Sequence, residues 1–309
     1  MKLLRKITPA FLIATLAIFI GCSSDTENKK QRSLAEAKQD TSNRIAIIEG
    51  RLSGTEAVRY DKNQDVYFIS NFNGSAAKAD SNGFIAKATA QGTIDSLRFM
   101  TGTNKSPLHS PRGMYITGDT LYVADLNGLH SFNTQTGEQL SYIDLSSFEP
   151  GFLNDVAVAT NGNIYVTDTG QSRIYKITGG SASIAVDSLE DPPNGITRDP
   201  ESGQLLIAPW EGGQVFRSFA TDDLSPQDFI TTSAGGNFDG IEPYKDSFIV
   251  ASQNDSSLYL IGQDQPSKRI ITTAPKPADI AVDTKRNRVA VPYISLNRVD
   301  IWKINADKN

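Results

Sequence analysis

One phrase recurs six times along this chain of 309 residues and limits what the chain can fold into. In its clearest copy, residues 153–158, 164–168 and 173–177 read as three short strands with alternating apolar residues, the first two joined by an Asn-Gly turn. The copies start 39 to 56 residues apart, close to the length of a four-stranded propeller blade. The residues just ahead of the first strand, which we term ring residues, are Glu56, Arg112, Asn154, Asn194, Asp239 and Ala278.

Six such copies predict an all-β fold, a six-bladed β-propeller over residues 44–309. The first copy is longer than the others because residues 71–83 form a polar insertion. The sixth copy ends one strand short after Ile304, and residues 45–48 are expected to supply that strand and close the ring. No stretch has sustained helical periodicity, so no second domain is predicted.

The N-terminus has the composition of a bacterial export signal. Three basic residues within the first six precede an apolar run over residues 7–20, which is short for a bilayer span and is interrupted by Pro9. The run ends at Gly21-Cys22, which resembles the lipobox of bacterial lipoproteins and implies cleavage after residue 21 and acylation of Cys22. Residues 22–43 are polar and are expected to form a flexible tether.

The cysteine content and the net charge limit which covalent links, metal sites and binding partners the chain can have. Cys22 is the only cysteine, so the sequence offers no disulfide framework and no cysteine-based metal site. Cleavage removes three of the 30 basic residues and none of the 35 acidic ones, which takes the net charge from −5 to −8. Such an acidic protein is a poor ligand for nucleic acid. We expect a monomer held at the envelope by its lipid, and Ser23 after the acylated cysteine favours the outer membrane over the inner one.

The ring residues predict a metal site. In a propeller the inner strands line the central channel, so residues that start them are expected to lie together at one mouth. Glu56 and Asp239 contribute carboxylates, and Asn154 and Asn194 contribute amide oxygens. Ca²⁺ takes about six to eight oxygen ligands, with water completing the set, so this group of side chains favours calcium.

The same residues allow other interpretations. Asn or Asp before Gly is commonly a turn residue whose side chain bonds its own backbone. Arg112 either binds a substrate carboxylate or forms a structural ion pair with Glu56 or Asp239. Zinc is not expected, because His109 and His130 are the only histidines.

Further residues near the channel have open roles. Trp210 and Glu211 end an inner strand and either line a pocket or, for Trp210, pack between blades. Asp125 and Asp168 close second strands and are expected to accept structural hydrogen bonds. His109 is either a loop residue or approaches the rim of the channel.

Four loops stand out together: Glu56 with Tyr60-Asp61, Leu153-Asn154-Asp155, Pro193-Asn194-Gly195 and Phe238-Asp239-Gly240. They resemble the signature loops of the SMP-30/gluconolactonase/LRE-like propellers, and the resemblance covers nearly the whole chain after Ser53. The resemblance implies a divalent metal, usually calcium, held by Glu56, Asn194 and Asp239, with Asn154 facing the substrate. It also implies that the substrate is a lactone whose carbonyl the metal polarises, and that Asp239 is the base that helps to activate water.

Two departures from that family keep a second function open. Where many of its enzymes have an arginine two residues before the substrate-facing asparagine, this chain has Phe152, which favours a more apolar substrate. The similar paraoxonase-type lactonases carry a catalytic histidine where this chain has Arg112. The expected function is a metal-dependent hydrolase of lactones or related esters at the envelope. The alternative is a non-catalytic NHL-like propeller that binds a protein or glycan.

Overall fold

The computed structural model describes residues 41–211, 213–263 and 265–305. It confirms the predicted six-bladed propeller, because the strands form six four-stranded antiparallel sheets in chain order. The predicted signal peptide, Cys22 and most of the predicted tether lie outside the described residues. Within those residues, none of the helices combines the length and the apolar character that a membrane span requires.

Every blade consists of an inner strand, a second strand and two outer strands, in that order from the axis. Blades 1 to 3 comprise Thr55–Asp61, Val66–Asn71, Phe84–Thr89 and Ile94–Met100; Met114–Thr117, Thr120–Asp125, Gly128–Asn133 and Gln139–Asp144; and Leu153–Val158, Ile164–Asp168, Arg173–Thr178 and Ser181–Val186. Blades 4 to 6 comprise Pro193–Arg198, Leu205–Pro209, Val215–Phe219 and Pro226–Thr231; Phe238–Tyr244, Ser247–Ser252, Ser257–Gly262 and Gln265–Thr272; and Ala281–Asp283, Arg288–Tyr293, Arg298–Lys303 and Arg44–Ile48. The other described elements are a hairpin, Gly102–Thr103 with Ser106–Pro107, and two 3₁₀ turns, Ser146–Phe148 and Ile294–Leu296.

The sixth blade contains both ends of the described chain. Its outermost strand, Arg44–Ile48, pairs antiparallel with Arg298–Lys303. At the axis, Val58 N–H donates to Asp279 O at 3.0 Å and Asp279 N–H donates to Glu56 O at 3.1 Å. These two bonds join blade 6 directly to blade 1.

Apolar faces between neighbouring blades form the core. The alternating apolar residues of the strands are buried there, as with Val58 and Ile69 of blade 1 against Ala290 and Ile301 of blade 6. Burying a large aliphatic side chain contributes about 1.5–3 kcal/mol. The blades are therefore held together by their faces, and the axis is left to polar side chains.

Glycine follows three ring residues because the inner strands approach one another closely. A Cβ on Gly113, Gly195 or Gly240 would lie 2.3 to 2.4 Å from an atom of the next blade. None of the three has a positive φ, and Gly195 and Gly240 lie inside strands. Asn194 and Asp239 therefore lie in strands and not in turns, although the Asp239 carboxylate does accept from the Gly240 N–H, and the glycines serve close packing.

Candidate functional site

The four predicted oxygen donors share one backbone irregularity. In blades 1, 3, 4 and 5, two residues of the inner strand oppose a single residue of the second strand, which is a β-bulge. The first residue of each bulge is a predicted donor: Glu56, Asn154, Asn194 or Asp239. Because a bulge re-aims a side chain out of the regular alternation, the repeated distortion presents all four at the same end of the channel.

Blades 2 and 6 have no such bulge, and their inner strands begin after the ring residue. Arg112 and Ala278 instead donate their backbone N–H groups to Ala124 O at 2.8 Å and Pro292 O at 3.0 Å. Ala278 is fully buried. Four blades of the six therefore supply oxygen-bearing ring side chains.

One cavity of about 770 Å³ contains all four donors. Glu56, Asn154, Asn194 and Asp239 line it together with Arg112, and none of the five is more than 6% exposed. The structure thus brings the predicted metal ligands and the predicted substrate contact Arg112 into one concave site.

Among the residues that the structure describes, two buried oxygens at this site, Glu56 Oε2 and Asn194 Oδ1, have no hydrogen-bond partner. Leaving a buried acceptor unpaired costs about 1–3 kcal/mol, a cost that a bound cation would remove. Among the described residues, no three His, Cys, Asp or Glu side chains form a metal-binding group, so a cation here needs amide as well as carboxylate ligands. Such a mixed oxygen set fits calcium and does not fit zinc.

The side chains of Thr169 and Gln253 orient the other two oxygen donors, Asn154 and Asp239. The Thr169 hydroxyl donates to Pro193 O at 2.7 Å and therefore accepts from Asn154 Nδ2 at 2.9 Å, which turns Asn154 Oδ1 away from Thr169. Gln253 Nε2 donates to Asp239 Oδ2 at 2.7 Å. Sequence reasoning missed Thr169 and Gln253, although both occupy the place immediately after a second strand, and that shared register was the available signal.

Negative charge is in excess around the site. Burial first, and then Asp239 and Asp279, raise the pKa of Glu56 well above its ordinary value. Burial and Asp279 likewise raise the pKa of Asp239 to about 7. Arg112 lowers the pKa of Glu56 but does not outweigh these effects. A cation would stabilise both ionised carboxylates, so the electrostatics favour cation binding.

Arg112 is tied to the backbone. Its Nη1 donates to Leu153 O at 2.7 Å and its Nη2 to Ala76 O. Its guanidinium carbon lies 3.7 Å from the centroid of the Phe152 ring. Within the described part of the chain it forms no ion pair at 4.0 Å or less, so the alternative of a direct salt bridge to a ring carboxylate is wrong.

Arg59 joins four blades at the axis, and sequence reasoning did not identify it. Its guanidinium lies 2.9 Å from Asp279 Oδ1 of blade 6, 3.1 Å from Asp155 Oδ1 of blade 3 and 3.3 Å from Glu242 Oε1 of blade 5. Burial alone would lower the pKa of Arg59, but the three carboxylates outweigh burial and raise it. One permanent cation therefore faces three carboxyl groups, of which those of Asp155 and Asp279 are buried and that of Glu242 is half-buried, and this adds to the negative charge near the site.

Replacing Glu242 by glutamine should flatten the pH dependence of stability. Burial is the main cause that raises the Glu242 pKa from 4.5 to about 7. Between these values the folded chain binds a proton that the unfolded chain does not, so the free energy of unfolding falls as pH rises, by up to about 3 kcal/mol. Urea unfolding of wild type and Glu242→Gln from pH 4.5 to 8, both in chelator, measures the difference. Parallel curves would contradict the assignment.

The two histidines lie away from the cavity lining. His109 Nδ1 accepts a hydrogen bond from Ser81 N–H at 3.0 Å, within the polar insertion. His130 Nε2 lies 3.2 Å from Asp125 Oδ2. Both therefore have partners in the scaffold, and neither is among the residues that line the cavity.

The structural role predicted for Asp125 and Asp168 is confirmed. Asp125 accepts from Ser110 N–H at 2.5 Å, and Asp168 accepts from Phe152 N–H at 2.8 Å. Each aspartate closes a second strand and holds the loop that leads to the ring residue of its own blade. These two residues hold loops of the site in place, and neither of them lines the cavity.

Trp210 and Glu211 line the cavity, as one of the two interpretations of them expected. Their predicted position at the end of an inner strand is wrong. They follow Leu205–Pro209, which is the second strand of blade 4. The side chain of Trp210 is half-buried, and Glu211 is exposed.

No model of a protein family matches this chain, and neither does any curated protein. Several solved structures are similar to it in fold. A gluconolactonase from Xanthomonas campestris has a TM-score of 0.64 at 15% identity, over 85% of this chain and 92% of that one. A second protein, described as a candidate gluconolactonase, has a TM-score of 0.61 at 14% identity, over 85% and 91%.

A structure with a different activity is also similar. A catalytically inactive virginiamycin B lyase from Staphylococcus aureus, solved with quinupristin, has a TM-score of 0.55 at 12% identity, over 84% of this chain and 99% of that one. One propeller fold therefore carries different chemistries among these neighbours. At such identities the likeness shows the fold alone, and the function depends on the residues of the site.

Proposed function

We propose that this chain is a metal-dependent hydrolase of lactones or related esters, held at the bacterial envelope through a lipid on Cys22. One observation carries the enzymatic part: four blades present two carboxylates and two amides to one cavity, and two of their buried oxygens have no hydrogen-bond partner in the described part of the chain. The proposed cation is Ca²⁺. The similar fold of the gluconolactonase from Xanthomonas campestris is consistent with this function and adds no residue-level support.

In this proposal Glu56, Asn194 and Asp239 hold the cation, and Asn154 lies beside it. When bound, the cation supplies Lewis-acid polarisation of the ester carbonyl. Asn154, whose amide is oriented by Thr169, offers its Oδ1 to the cation or the substrate. Arg112 contacts the substrate, since its guanidinium has more N–H groups than the two backbone carbonyls use.

Asp239 is the proposed base. Gln253 donates a hydrogen bond to its Oδ2, which helps to orient the carboxylate. The proton of the attacking water passes to this carboxylate, and a proton returns to the leaving oxygen as the ring or ester opens. Since the residue is only 4% exposed, its carboxylate is screened from bulk water except through the cavity.

Calcium should stabilise the wild-type chain and should not stabilise Glu56→Gln. At a calcium concentration 100 times the Kd, binding adds about 2.7 kcal/mol to the free energy of unfolding. For a propeller of this size that corresponds to a rise in Tm of about 5 °C. The measurement is thermal unfolding in chelator and then with added calcium.

Glu211→Gln is the matched control, because it removes the same charge from an exposed residue of the same cavity and should keep the calcium response. An unchanged Tm in wild type would remove the metal from the proposal. A pH-indicator screen of aliphatic and sugar lactones then tests hydrolysis. Calcium binding without hydrolysis of any lactone would favour the non-catalytic propeller with a structural ion.

A further inference from the structure

A second ring of side chains lines the cavity. It consists of the residue that follows the second strand in five of the six blades: Phe72, Thr169, Trp210, Gln253 and Ile294. In blade 2 the equivalent residue is Leu126, which is not among the lining residues. We call these five residues the second ring.

The same backbone hydrogen bond places four members of the second ring. Each donates its N–H to the carbonyl oxygen two residues before the ring residue of its own blade. The bonds are Phe72 N to Gly54 O at 3.1 Å, Thr169 N to Phe152 O at 2.9 Å, Trp210 N to Pro192 O at 2.8 Å and Gln253 N to Asn237 O at 3.2 Å. These four blades are also the four with the bulge, so the two rings are built by one repeated backbone arrangement.

The polar members of the second ring are already engaged. Thr169 bonds Asn154, and Gln253 bonds Asp239. They are positioning residues for the proposed ligand set. One hydrogen-bonding group of each is therefore already committed to a ring residue.

The other three members are large and apolar. Phe72, Trp210 and Ile294 face the cavity, and Phe152, stacked under Arg112, adds another apolar surface. Trp210 and Ile294 are only half-buried, so they keep apolar surface in a concave site, which is where ligands are usually bound. The charged lining residues Glu211 and Lys276 are solvent-exposed.

We propose that the second ring selects a lactone or ester whose side group is an apolar alkyl or aryl chain, and that it rejects polyhydroxylated sugar lactones. This inference rests on the proposed function for the reacting ester, and on Phe72, Trp210 and Ile294 for the side group. A hydroxyl buried against Phe72 or Ile294 would lose its water without gaining a partner. An alkyl chain would instead remove apolar surface from water on both molecules.

Binding of 2-hexylcyclopentanone to the purified chain tests the inference, because this ketone resembles an alkyl lactone but cannot be hydrolysed. Equilibrium dialysis measures it without turnover, with glucose as the polar comparator. We expect saturable binding of the ketone and at least about tenfold weaker binding of glucose. Ile294→Ser should weaken ketone binding about ten- to a hundredfold.

Leu126→Ser is the matched control, because it makes the same kind of change at the blade 2 position that does not line the cavity, and it should bind the ketone like wild type. Equal binding of glucose and ketone, or an Ile294→Ser protein that binds the ketone like wild type while keeping its Tm, overturns the inference. Its failure is distinguishable from that of the proposed function. Ketone binding that depends on Ile294 supports the apolar site even if no lactone is hydrolysed, and hydrolysis of gluconolactone and γ-decalactone at equal kcat/KM overturns the selectivity alone.

Discussion

Replacing Arg59 by methionine is expected to lower the free energy of unfolding at pH 7 by about 3–5 kcal/mol, because it leaves buried carboxylates without their cation. Arg59 contacts Asp155, Asp279 and Glu242 from three other blades, so the variant removes the charge that these blades share. Urea unfolding of wild type and variant measures the loss. The loss should be smaller at pH 5, since burial raises the pKa of all three carboxyl groups and they can then be neutral.

Arg217→Met is the control for a charge removed from the surface. Arg217 pairs with Glu190 at 2.5 Å, but both side chains are more than a third exposed, so little change is expected. Arg59→Lys should fall between wild type and Arg59→Met, because one ammonium cannot match the fork of contacts that a guanidinium makes. Equal stability of Arg59→Met and wild type at pH 7 would show that the axial ion pairs contribute nothing net.

The blades could be predicted because each copy repeats the same strand pattern in the same phase. The structural role of a single residue within the repeated pattern was harder to predict. Glycine after Asn194 and Asp239 fits a turn equally well in the sequence, whereas in the structure Gly195 and Gly240 lie in strands. Only the distance to the next blade, 2.3 to 2.4 Å from a would-be Cβ, shows why glycine is required. That distance depends on six strands packed around an axis, which no local pattern encodes.

The site, too, could be predicted only in part, because the repeat reveals which residues are equivalent but not how the strands pair. Position within the repeat was enough to identify Glu56, Asn154, Asn194 and Asp239, and they do line one cavity. Position within the repeat could not distinguish the four blades that have a bulge from the two that do not, because a bulge depends on how the inner strand pairs with the second strand. It also gave no reason to examine the place after each second strand, from which the second ring comes.

The sequence also contained a signal for the charged residues at the propeller axis, namely their positions in the repeat. Asp155 and Asp279 each follow a ring residue directly, at the place where blades 2, 4 and 5 have glycine. A Cβ on Gly240 would lie 2.4 Å from Asp279 Oδ1, so a glycine in one blade makes room for an aspartate in the next. Arg59 and Glu242 stand three places after their ring residues. Comparing every phase of the repeat, and not only the first, would have brought these residues together.

Asp239→Asn is expected to lower kcat/KM for lactone hydrolysis by about 10²- to 10⁴-fold, the usual contribution of a positioned general base. Asparagine keeps the size of the side chain and can still accept the hydrogen bond from Gln253, so the cavity should keep its shape. It cannot take the proton of the attacking water. The measurement is initial rates in a pH-indicator assay with saturating calcium, on aliphatic and sugar lactones.

Two further measurements separate loss of the base from loss of the cation. Asp239 is also a proposed ligand, so calcium affinity of Asp239→Asn has to be measured by the thermal shift, and rates compared at calcium concentrations that saturate each protein. Glu242→Gln removes one half-buried carboxylate that does not line the cavity, and it should hydrolyse within a few-fold of wild type. Equal rates for wild type and Asp239→Asn would remove the base role from Asp239. Because Gln253 holds only one oxygen of the carboxylate, a Gln253→Leu protein with full calcium affinity but reduced kcat would instead support a base that needs its orientation fixed.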